Sequence, residues 1–333
     1  MLGVAKIAVE QVIPALQASP TARVEAVASR DPAKAEAAAR RLGIPRAHGS
    51  YDALLADPAV EAVYIPLPNH LHVPWSVRAA LAGKHVLCEK PLAMNAAEVR
   101  ELIAARDRAG VVVAEAFMVR AHPQWLKVRE LVRAGRIGDL RLVQGLFSYQ
   151  LRDPANVRSR VEWGGGALLD VGCYPVTLSR WLYGAEPLEV AATLERDPEL
   201  KVDRLVSAVL RFPAGQASFT VAGQAALSQR MLILGSAGRI EVEVPFNPPH
   251  ERRARVLVDD GRDLVGAGVE VLSFEPVNQF ALQGDRFREA VRRGTPPPVP
   301  LEDALANMAV LDAVFRAAET GRWEEVDAGP RGV

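Results

Sequence analysis

The sequence contains little cysteine. Its two cysteines, Cys88 and Cys173, stand far apart in a chain of 333 residues and form no C-x-x-C pair. This pattern excludes a disulfide scaffold and argues against structural zinc, so we expect no metal site. Both side chains are predicted to be buried thiols in a protein of a reducing compartment.

Net charge and long apolar runs are absent as well. The 40 Lys and Arg residues balance 40 Asp and Glu residues, a balance that predicts neither a nucleic-acid partner nor a membrane partner. No apolar run approaches the roughly 18 residues that span a bilayer. Lys6 and Glu10 interrupt the N-terminal stretch where the apolar part of a secretory signal would stand. We therefore expect a cytoplasmic protein.

Short apolar runs alternate with helical patterns in the first third of the chain. The 49% hydrophobic content is enough for two cores. Alternation at this spacing predicts an α/β fold with an N-terminal Rossmann-type, doubly wound parallel sheet in residues 1–120, whose ligands lie beyond the carboxyl ends of the strands. Strands are predicted at residues 24–29, 62–65, 85–88 and 111–114, and helices at 32–42, 73–82 and 96–109, the last capped by Asn95.

The pattern changes near residue 121. Strands that follow one another with short turns predict antiparallel pairing. Residues 121–333 are thus predicted to form an α+β substrate-binding and oligomerisation domain with an open, mostly antiparallel sheet, whose bare face favours a homodimer or tetramer. Its strands are predicted at 140–147, 190–194, 205–212, 216–221, 231–234 and 239–244, and its helices at 123–134, after Gly164-Gly165-Gly166 as far as 182, at 279–293 and at 301–320.

The segment from Gly3 to Ala8 reads G-x-A-x-x-A and precedes a predicted helix that runs to Ala18. A Rossmann domain carries G-x-G-x-x-G at this point, and small residues there let a pyrophosphate approach the helix N-terminus. The alternative is an ordinary helix start. The predicted cofactor contacts are Gly3, Ala5, Lys6 and Ile7.

Only Met1 and Leu2 precede this turn, which is short for the central strand that normally feeds it. Either the true chain starts upstream of Met1 or the sheet lacks a central strand. We favour the first, because a central gap would leave buried backbone groups unpaired at about 1 to 3 kcal/mol each.

Ser29-Arg30-Asp31 follows the next predicted strand. An enzyme that uses NAD would place an acidic residue there for the adenosine ribose, whereas a hydroxyl followed by a guanidinium suits the 2′-phosphate of NADP. We predict NADP rather than NAD, bound by Ser29 and Arg30. The alternative is a solvated arginine paired with Asp31.

Further polar residues stand where later strands end. Asn69 is either a cofactor ligand or a helix cap, and Lys90 either points into the cleft or pairs with Glu89 on the surface. Arg120 contacts the cofactor or joins an interdomain ion pair. The predicted cofactor contacts in these segments are Pro66, Asn69, His72, Glu89, Lys90 and Arg120.

An acidic residue interrupts the apolar stretch after the glycine turn. Asp170 and Tyr174 are four residues apart and would share one face of an α-helix. A buried carboxylate is costly unless it has a partner or a task. The plain alternative is a structural aspartate beside a core tyrosine.

Together these segments resemble the family of glucose-fructose oxidoreductase, inositol dehydrogenase and the rhizopine-catabolism proteins (Gfo/Idh/MocA). The resemblance runs from about Gly3 to Trp323 and is most specific at Glu89-Lys90-Pro91 and in residues 170–174. It implies a Rossmann domain, an α/β domain with an open sheet, and hydride transfer between a nicotinamide and a carbinol or carbonyl carbon.

The resemblance also implies catalytic roles. Lys90 matches the family's cleft lysine, Asp170 matches its partner carboxylate, and Tyr174 stands where inositol dehydrogenases have histidine. A tyrosine there resembles the branch with NADP-linked D-xylose dehydrogenases and dimeric dihydrodiol dehydrogenases. A lysine ammonium favours phenolate, so Tyr174 is expected to accept the substrate hydroxyl proton while Asp170 orients the substrate or the base.

The sequence leaves three functions open. The first is an NADP-dependent dehydrogenase of an aldose such as D-xylose or glucose, or of a cyclic trans-dihydrodiol, with Arg152, Asn156 and Arg158 as candidate substrate contacts. The second is a dinucleotide-binding sensor that turns nothing over. The third is a sugar oxidoreductase that never releases its cofactor.

Overall fold

A computed structural model of the chain describes residues 1–327, which divide into two compact units. The first unit combines Met1–Ala121 with Asn278–Leu305, and the second combines His122–Val277 with the chain from Ala306 onward. Cys88 and Cys173 are buried free thiols, as predicted. Burial raises the pKa of the Cys88 thiol, which keeps it protonated.

The first unit is built on parallel strands joined by helices. β1 pairs with β2, and β3, β4 and β5 pair in that order, all in parallel. Parallel neighbours require crossover connections, which the helices supply. The strands are β1 (Ala26–Ala28), β2 (Arg46–His48), β3 (Ala62–Ile65), β4 (His85–Glu89) and β5 (Val113–Ala116), and the helices are α1 (Ile13–Ala18), α2 (Pro32–Leu42), α3 (Tyr51–Ala56), α4 (His72–Leu81) and α5 (Ala96–Ala109).

Residues 1–3 join the two groups of strands. Leu2 N donates to Tyr64 O at 2.9 Å, and Ala28 N donates to Met1 O at 2.9 Å. Gly3 N donates to Ala28 O at 2.9 Å. The order across the unit is therefore β2, β1, residues 1–3, β3, β4, β5. Three residues suffice to fill the central position, so the expectation of unpaired neighbouring strands is not met.

The second unit is a nine-stranded sheet with helices. The order is β13-β12-β11-β10-β6-β9-β8-β7-β14, and neighbours run antiparallel except β6 and β9, which are parallel. The elements are α6 (Pro123–Arg133), β6 (Leu140–Gln150), α7 (Cys173–Tyr183), β7 (Glu189–Arg196), β8 (Asp203–Phe212), β9 (Gly215–Ala222), β10 (Gln224–Gly235), β11 (Arg239–Val242), β12 (Ala254–Asp259), β13 (Val269–Phe274) and, near the end of the chain, β14 (Glu324–Glu325).

One face of this sheet is packed. Along β8, Val206 and Leu210 are buried while Leu205 and Val209 are exposed, the alternation of an antiparallel sheet with one covered face. Helix α7 covers the buried face closely, because a Cβ atom on Gly145 of β6 would lie 2.7 Å from Pro175 Cβ. The sheet therefore presents α7 on one side and an uncovered surface on the other.

Two helices close the chain, α8 (Gln279–Arg293) and α9 (Leu301–Thr320), with the predicted bounds. Residues 278–305 were predicted to lie in the second domain, but they pack in the first unit. Gly284 of α8 abuts Leu16 of α1, and Ala114 of β5 forms a bridge with Pro300. Apolar contact with the parallel sheet, which the local pattern does not encode, decides this assignment.

Candidate functional site

The turn after Leu2 has the backbone that a dinucleotide requires. Gly3 has φ of 114°, and a Cβ atom there would lie 3.0 Å from Leu67 Cδ2, so only glycine fits. Ala5 and Ile7 are partly exposed at the start of the helical segment. The side chain of Lys6 is 84% exposed, and its ammonium lies 3.9 Å from Glu10 Oε2. The cradle fits a pyrophosphate at a helix N-terminus.

At the carboxyl end of β1, Arg30 has a different partner from the one considered above. Its guanidinium hydrogen-bonds the Tyr51 hydroxyl, while the Asp31 carboxylate caps α2 by accepting from Ala33 N at 3.1 Å. Ser29 is buried, and its hydroxyl accepts from Asp31 N at 3.2 Å. Arg30 itself is exposed, so its charge faces the solvent side of the strand end.

Tyr51 is a residue that the sequence reasoning missed. Its ring stands edge-on to Trp75 with centroids 4.8 Å apart, and its hydroxyl lies 3.8 Å from where a Cβ atom on Gly3 would be. Burial raises its pKa, and the charge of Arg30 opposes that rise. Tyr51 therefore joins the Gly3 turn to Arg30. A tyrosine in a short helix gave no local indication of this role.

The loop after β3 carries Pro66, Asn69 and His72. Pro66 is buried. Asn69 opens a short 3₁₀ turn, Asn69–Leu71, which has no side-chain cap, so Asn69 is not the helix cap considered above. His72 is 1% exposed, and its two ring nitrogens face carbonyl oxygens, with Nε2 2.7 Å from Leu67 O and Nδ1 2.8 Å from Pro91 O. That geometry makes His72 a support of the loop.

The Lys90 turn (residues 89–92) ends β4 and is held by side chains of neighbouring elements. The Tyr64 hydroxyl of β3 donates to the Glu89 carboxylate, and Lys90 N donates to Glu89 Oε2 at 3.2 Å. Glu115 of β5 is 3% exposed and accepts from Leu92 N at 2.9 Å. The Lys90–Pro91 peptide bond is cis. Glu89 thus organises the turn.

Arg120 forms its ion pair inside the first unit. Its Nη1 lies 3.3 Å from Asp303 Oδ2, and the arginine is 9% exposed. Asp303 belongs to the first turn of α9, which packs in the same unit. The interdomain ion pair considered above is thus replaced by one within the unit.

In the second unit, Asp170 has a partner of opposite charge. Arg158 Nε donates to Asp170 Oδ2 at 2.6 Å, and the Asp170 side chain is 11% exposed. The Tyr149 hydroxyl also hydrogen-bonds this carboxylate; burial first, and then the charge of Asp170, raises the pKa of Tyr149. The same carboxylate raises the pKa of Arg158. Arg158, predicted as a substrate contact, is thus the counter-ion of Asp170.

The helical geometry here differs from the predicted one. Leu168–Gly172 form a π-helical turn, and α7 begins only at Cys173, so the α spacing of Asp170 and Tyr174 is not kept. A π turn inserts one residue per turn and is common at functional sites. It begins where Leu168 N donates to Asp203 Oδ2 at 2.6 Å, a carboxyl whose pKa burial raises to about 6.

Tyr174 is 3% exposed and lies in an aromatic cluster. Its ring centroid is 5.7 Å from that of Phe147 and 5.2 Å from that of Phe246. Phe147 and Phe246 stack at 4.7 Å. The rings fix the phenol and exclude water from its surroundings, as a proton-transfer group requires.

The remaining predicted substrate residues lie in the loop before the glycine turn. Arg152 is exposed. Asn156 Oδ1 accepts from Arg158 N at 3.0 Å and thereby shapes the backbone that carries Arg158. Within residues 1–327 no group of three His, Cys, Asp or Glu side chains is arranged to hold a metal ion. Over the same residues, no helix has both the length and the apolar character to cross a membrane.

Both halves of the chain match known family models. Residues 1–117 match the oxidoreductase family with an NAD-binding Rossmann fold, and residues 125–241 match the GFO/IDH/MocA C-terminal domain. The chain belongs to the Gfo/Idh/MocA family of oxidoreductases. It is an NAD(P)-dependent dehydrogenase with the two-part fold that the sequence predicted.

Curated relatives and a solved structure of this family cover nearly the whole chain. An uncharacterized oxidoreductase of Rhizobium meliloti is 48% identical over 98% of both chains. A D-xylose 1-dehydrogenase (NADP(+)) of Haloferax volcanii is 39% identical over 98% of this chain and 99% of that one. A 3-ketoreductase of Actinomadura kijaniata, solved with NADP and TDP-benzene, superposes with a TM-score of 0.88 at 33% identity over 95% of this chain and 96% of that one.

Proposed function

We propose that the protein oxidises an aldose such as D-xylose or glucose with NADP as hydride acceptor. A cyclic trans-dihydrodiol is the second substrate class. The observation that carries the proposal is the water-excluded phenol of Tyr174 next in sequence to an ion-paired Asp170. A dinucleotide sensor has no use for that arrangement. Full-length similarity to an NADP-linked D-xylose dehydrogenase supports the sugar class.

The proposal for NADP depends on the end of β1. The exposed Arg30 guanidinium, tethered to Tyr51, offers planar donors and a fixed positive charge to a 2′-phosphate. Ser29 contributes a short polar side chain beside it. No acidic residue precedes Arg30 in the position that suits the ribose of NAD. Gly3, Ala5, Ile7 and the backbone before Lys6 would hold the pyrophosphate, and Pro66, Asn69, Glu89 and Arg120 complete the proposed cofactor contacts.

The protein supplies binding, orientation and proton transfer, and the nicotinamide, when bound, accepts the hydride. Tyr174 accepts the proton of the substrate hydroxyl, and Lys90 contributes a positive charge that favours this transfer. Asp170 stays ionised because Arg158 is its counter-ion. Asp170 then orients the substrate hydroxyl or the phenol. The phenyl rings of Phe147 and Phe246 hold Tyr174 in place.

The test is NADPH formation by the purified protein with a panel of aldoses and trans-dihydrodiols, with NAD in parallel. We expect turnover of an aldose, faster with NADP than with NAD. Turnover of dihydrodiols alone would move the assignment to the second substrate class. Tight NADP binding without turnover would favour the sensor, and NADP that copurifies and never exchanges would favour the enzyme that retains its cofactor.

We also propose that the uncovered sheet face of the second unit binds a second copy of this chain. The face carries Val209 and Leu146, each 37% exposed, among small side chains, and the cross-strand ion pair Arg211–Glu189 lies on one side. In light scattering, Val209→Glu should convert a dimer or tetramer into monomers. Leu264→Glu, at a 95% exposed position outside this face, should leave the mass unchanged. A monomeric wild type would overturn the proposal.

A further inference from the structure

His72 joins two loops at the carboxyl edge of the parallel sheet. Its Nε2 lies 2.7 Å from Leu67 O in the loop after β3, and its Nδ1 lies 2.8 Å from Pro91 O in the Lys90 turn. The ring is 1% exposed. The two carbonyls are 24 residues apart in the chain, so the imidazole is a cross-link between loops.

The Lys90 turn has a second support, on its other side. Glu115 Oε1 accepts from Leu92 N at 2.9 Å. The carbonyl before Leu92 and the amide of Leu92 are therefore gripped by His72 and by Glu115. Two buried side chains from α4 and β5 thus fix the peptide that directly follows Lys90.

The ring has a conflict that points to a positioning role. Burial lowers the pKa of His72 to about 4, with the charge of Lys90 acting in the same direction, so the ring is neutral at pH 7. A neutral imidazole has one N–H and can donate to only one of the two carbonyls at a time. The second nitrogen still faces an oxygen at hydrogen-bond distance, an arrangement that the surrounding fold must hold in place.

We infer that His72 is a positioning residue that sets the place of Lys90 through Pro91 O and the shape of the cofactor loop through Leu67 O. The inference rests on the proposed function for its catalytic consequence. It assigns the two ring nitrogens two separable tasks. Nδ1 serves Lys90 and therefore turnover, and Nε2 serves the cofactor loop and therefore NADP affinity.

Two substitutions separate these tasks. The amide nitrogen of asparagine reaches about where Nδ1 lies, and that of glutamine about where Nε2 lies. His72→Asn should keep kcat within about threefold and weaken NADP binding several-fold. His72→Gln should keep the Kd for NADP and lower kcat about tenfold or more, since a misplaced catalytic group costs this much or more.

The matched control is His85→Ala. His85 stands at the other end of β4, where its Nδ1 accepts from Val112 N at 2.9 Å. This variant loses a hydrogen bond of the same strand without touching the Lys90 turn. It should lower Tm while kcat and the Kd for NADP stay at wild-type values. Equal losses of kcat in His72→Asn and His72→Gln, in proportion to Tm, would show a merely structural role and overturn the inference.

Crystal structures of both variants provide a readout that needs no turnover. In His72→Gln the Pro91 carbonyl and the Lys90 side chain should shift, and in His72→Asn they should keep their places while Leu67 moves. An unmoved Lys90 turn in His72→Gln would overturn the inference whatever the wild type catalyses. A wild type without aldose turnover, together with the shifted turn, would refute the proposed function and leave the positioning role standing.

Discussion

At the scale of single residues, the structure gives ion-pair and hydrogen-bond partners to side chains that the sequence could only nominate. Asp170 pairs with Arg158, twelve residues earlier. Arg30 contacts Tyr51, 21 positions later in the chain. The residue types were informative because buried charge demands a partner. The partners were not predictable, because they depend on which loops the fold brings together.

The proton-transfer roles give the first prediction. Tyr174→Phe and Lys90→Ala should each lower kcat by about 10² or more, the usual contribution of general acid–base catalysis. Steady-state kinetics with the best aldose would measure it. Tyr183→Phe is the control, because this tyrosine ends the same helix with its hydroxyl donating to Gln216 O at 2.7 Å. Near-normal activity of both site variants would refute the assigned roles.

Cofactor choice gives the second prediction. Arg30→Ala should weaken NADP binding by about tenfold to a hundredfold, since a hydrogen bond to a charged group contributes about 1.5 to 3 kcal/mol. NAD binding should change little, because NAD lacks the 2′-phosphate. Fluorescence titration measures both constants. Arg40→Ala, on the surface of α2 beside Glu36, is the control; an equal loss for both dinucleotides would contradict the role of Arg30.

At the scale of elements, helices with strong terminal residues were predictable. The bounds of α2, α5, α8 and α9 agree with the sequence prediction, and Asn95 caps α5 by accepting from Glu98 N at 3.0 Å. Elements without such residues were missed. The strands β12 and β13 and the short β2 and α3 have few residues and owe their pairing to neighbours distant in sequence. The π turn at Asp170 was missed because its side-chain pattern is that of an α-helix.

The cap of α5 gives the third prediction. Asn95→Ala should lower the free energy of unfolding of the first unit by about 1 kcal/mol, because Glu98 N loses its acceptor. Asn95→Ser keeps an acceptor at the same place and should cost much less. Urea denaturation of the three proteins measures the differences. Equal stability of the alanine variant and the wild type would show that the cap contributes nothing.

At the scale of the whole molecule, the two units should respond differently to acid. Burial lowers the pKa of His72 in the first unit and of His122 in the second to about 4. Between about pH 6.5 and pH 4 the unfolded chain binds protons that the folded chain refuses, so stability falls by on the order of 3 kcal/mol for each histidine. Asp203 in the second unit has the opposite sign. Its pKa is raised to about 6 from 3.8, so acidification over that range adds stability.

The fourth prediction follows from this difference. His122 and Asp203 largely offset each other in the second unit, whereas His72 leaves the first unit more sensitive to acid. Hydrogen exchange followed by mass spectrometry at pH 7 and pH 5, corrected for intrinsic rates, should show the larger loss of protection in residues 1–121. A larger loss in residues 122–277 would contradict the assignment of these pKa shifts.

The fold class and the catalytic candidates were both within reach of the sequence, because alternating strands and helices and the order of the motifs along the chain carry them. The division of the chain was not fully within reach. Residues 278–305 join the first unit through contacts such as Gly284 with Leu16. A helix pattern gives the apolar face of such a segment but not the surface against which it packs.

The central claim is that this chain transfers hydride from a sugar carbon to NADP. The most direct measurement uses the best aldose of the panel with deuterium at the oxidised carbon, followed by mass spectrometry of the NADPH formed. The account predicts one deuterium in each NADPH and a slower single-turnover rate than with the protium sugar. NADPH without deuterium, or no reduction of NADP by any aldose in the panel, would contradict it.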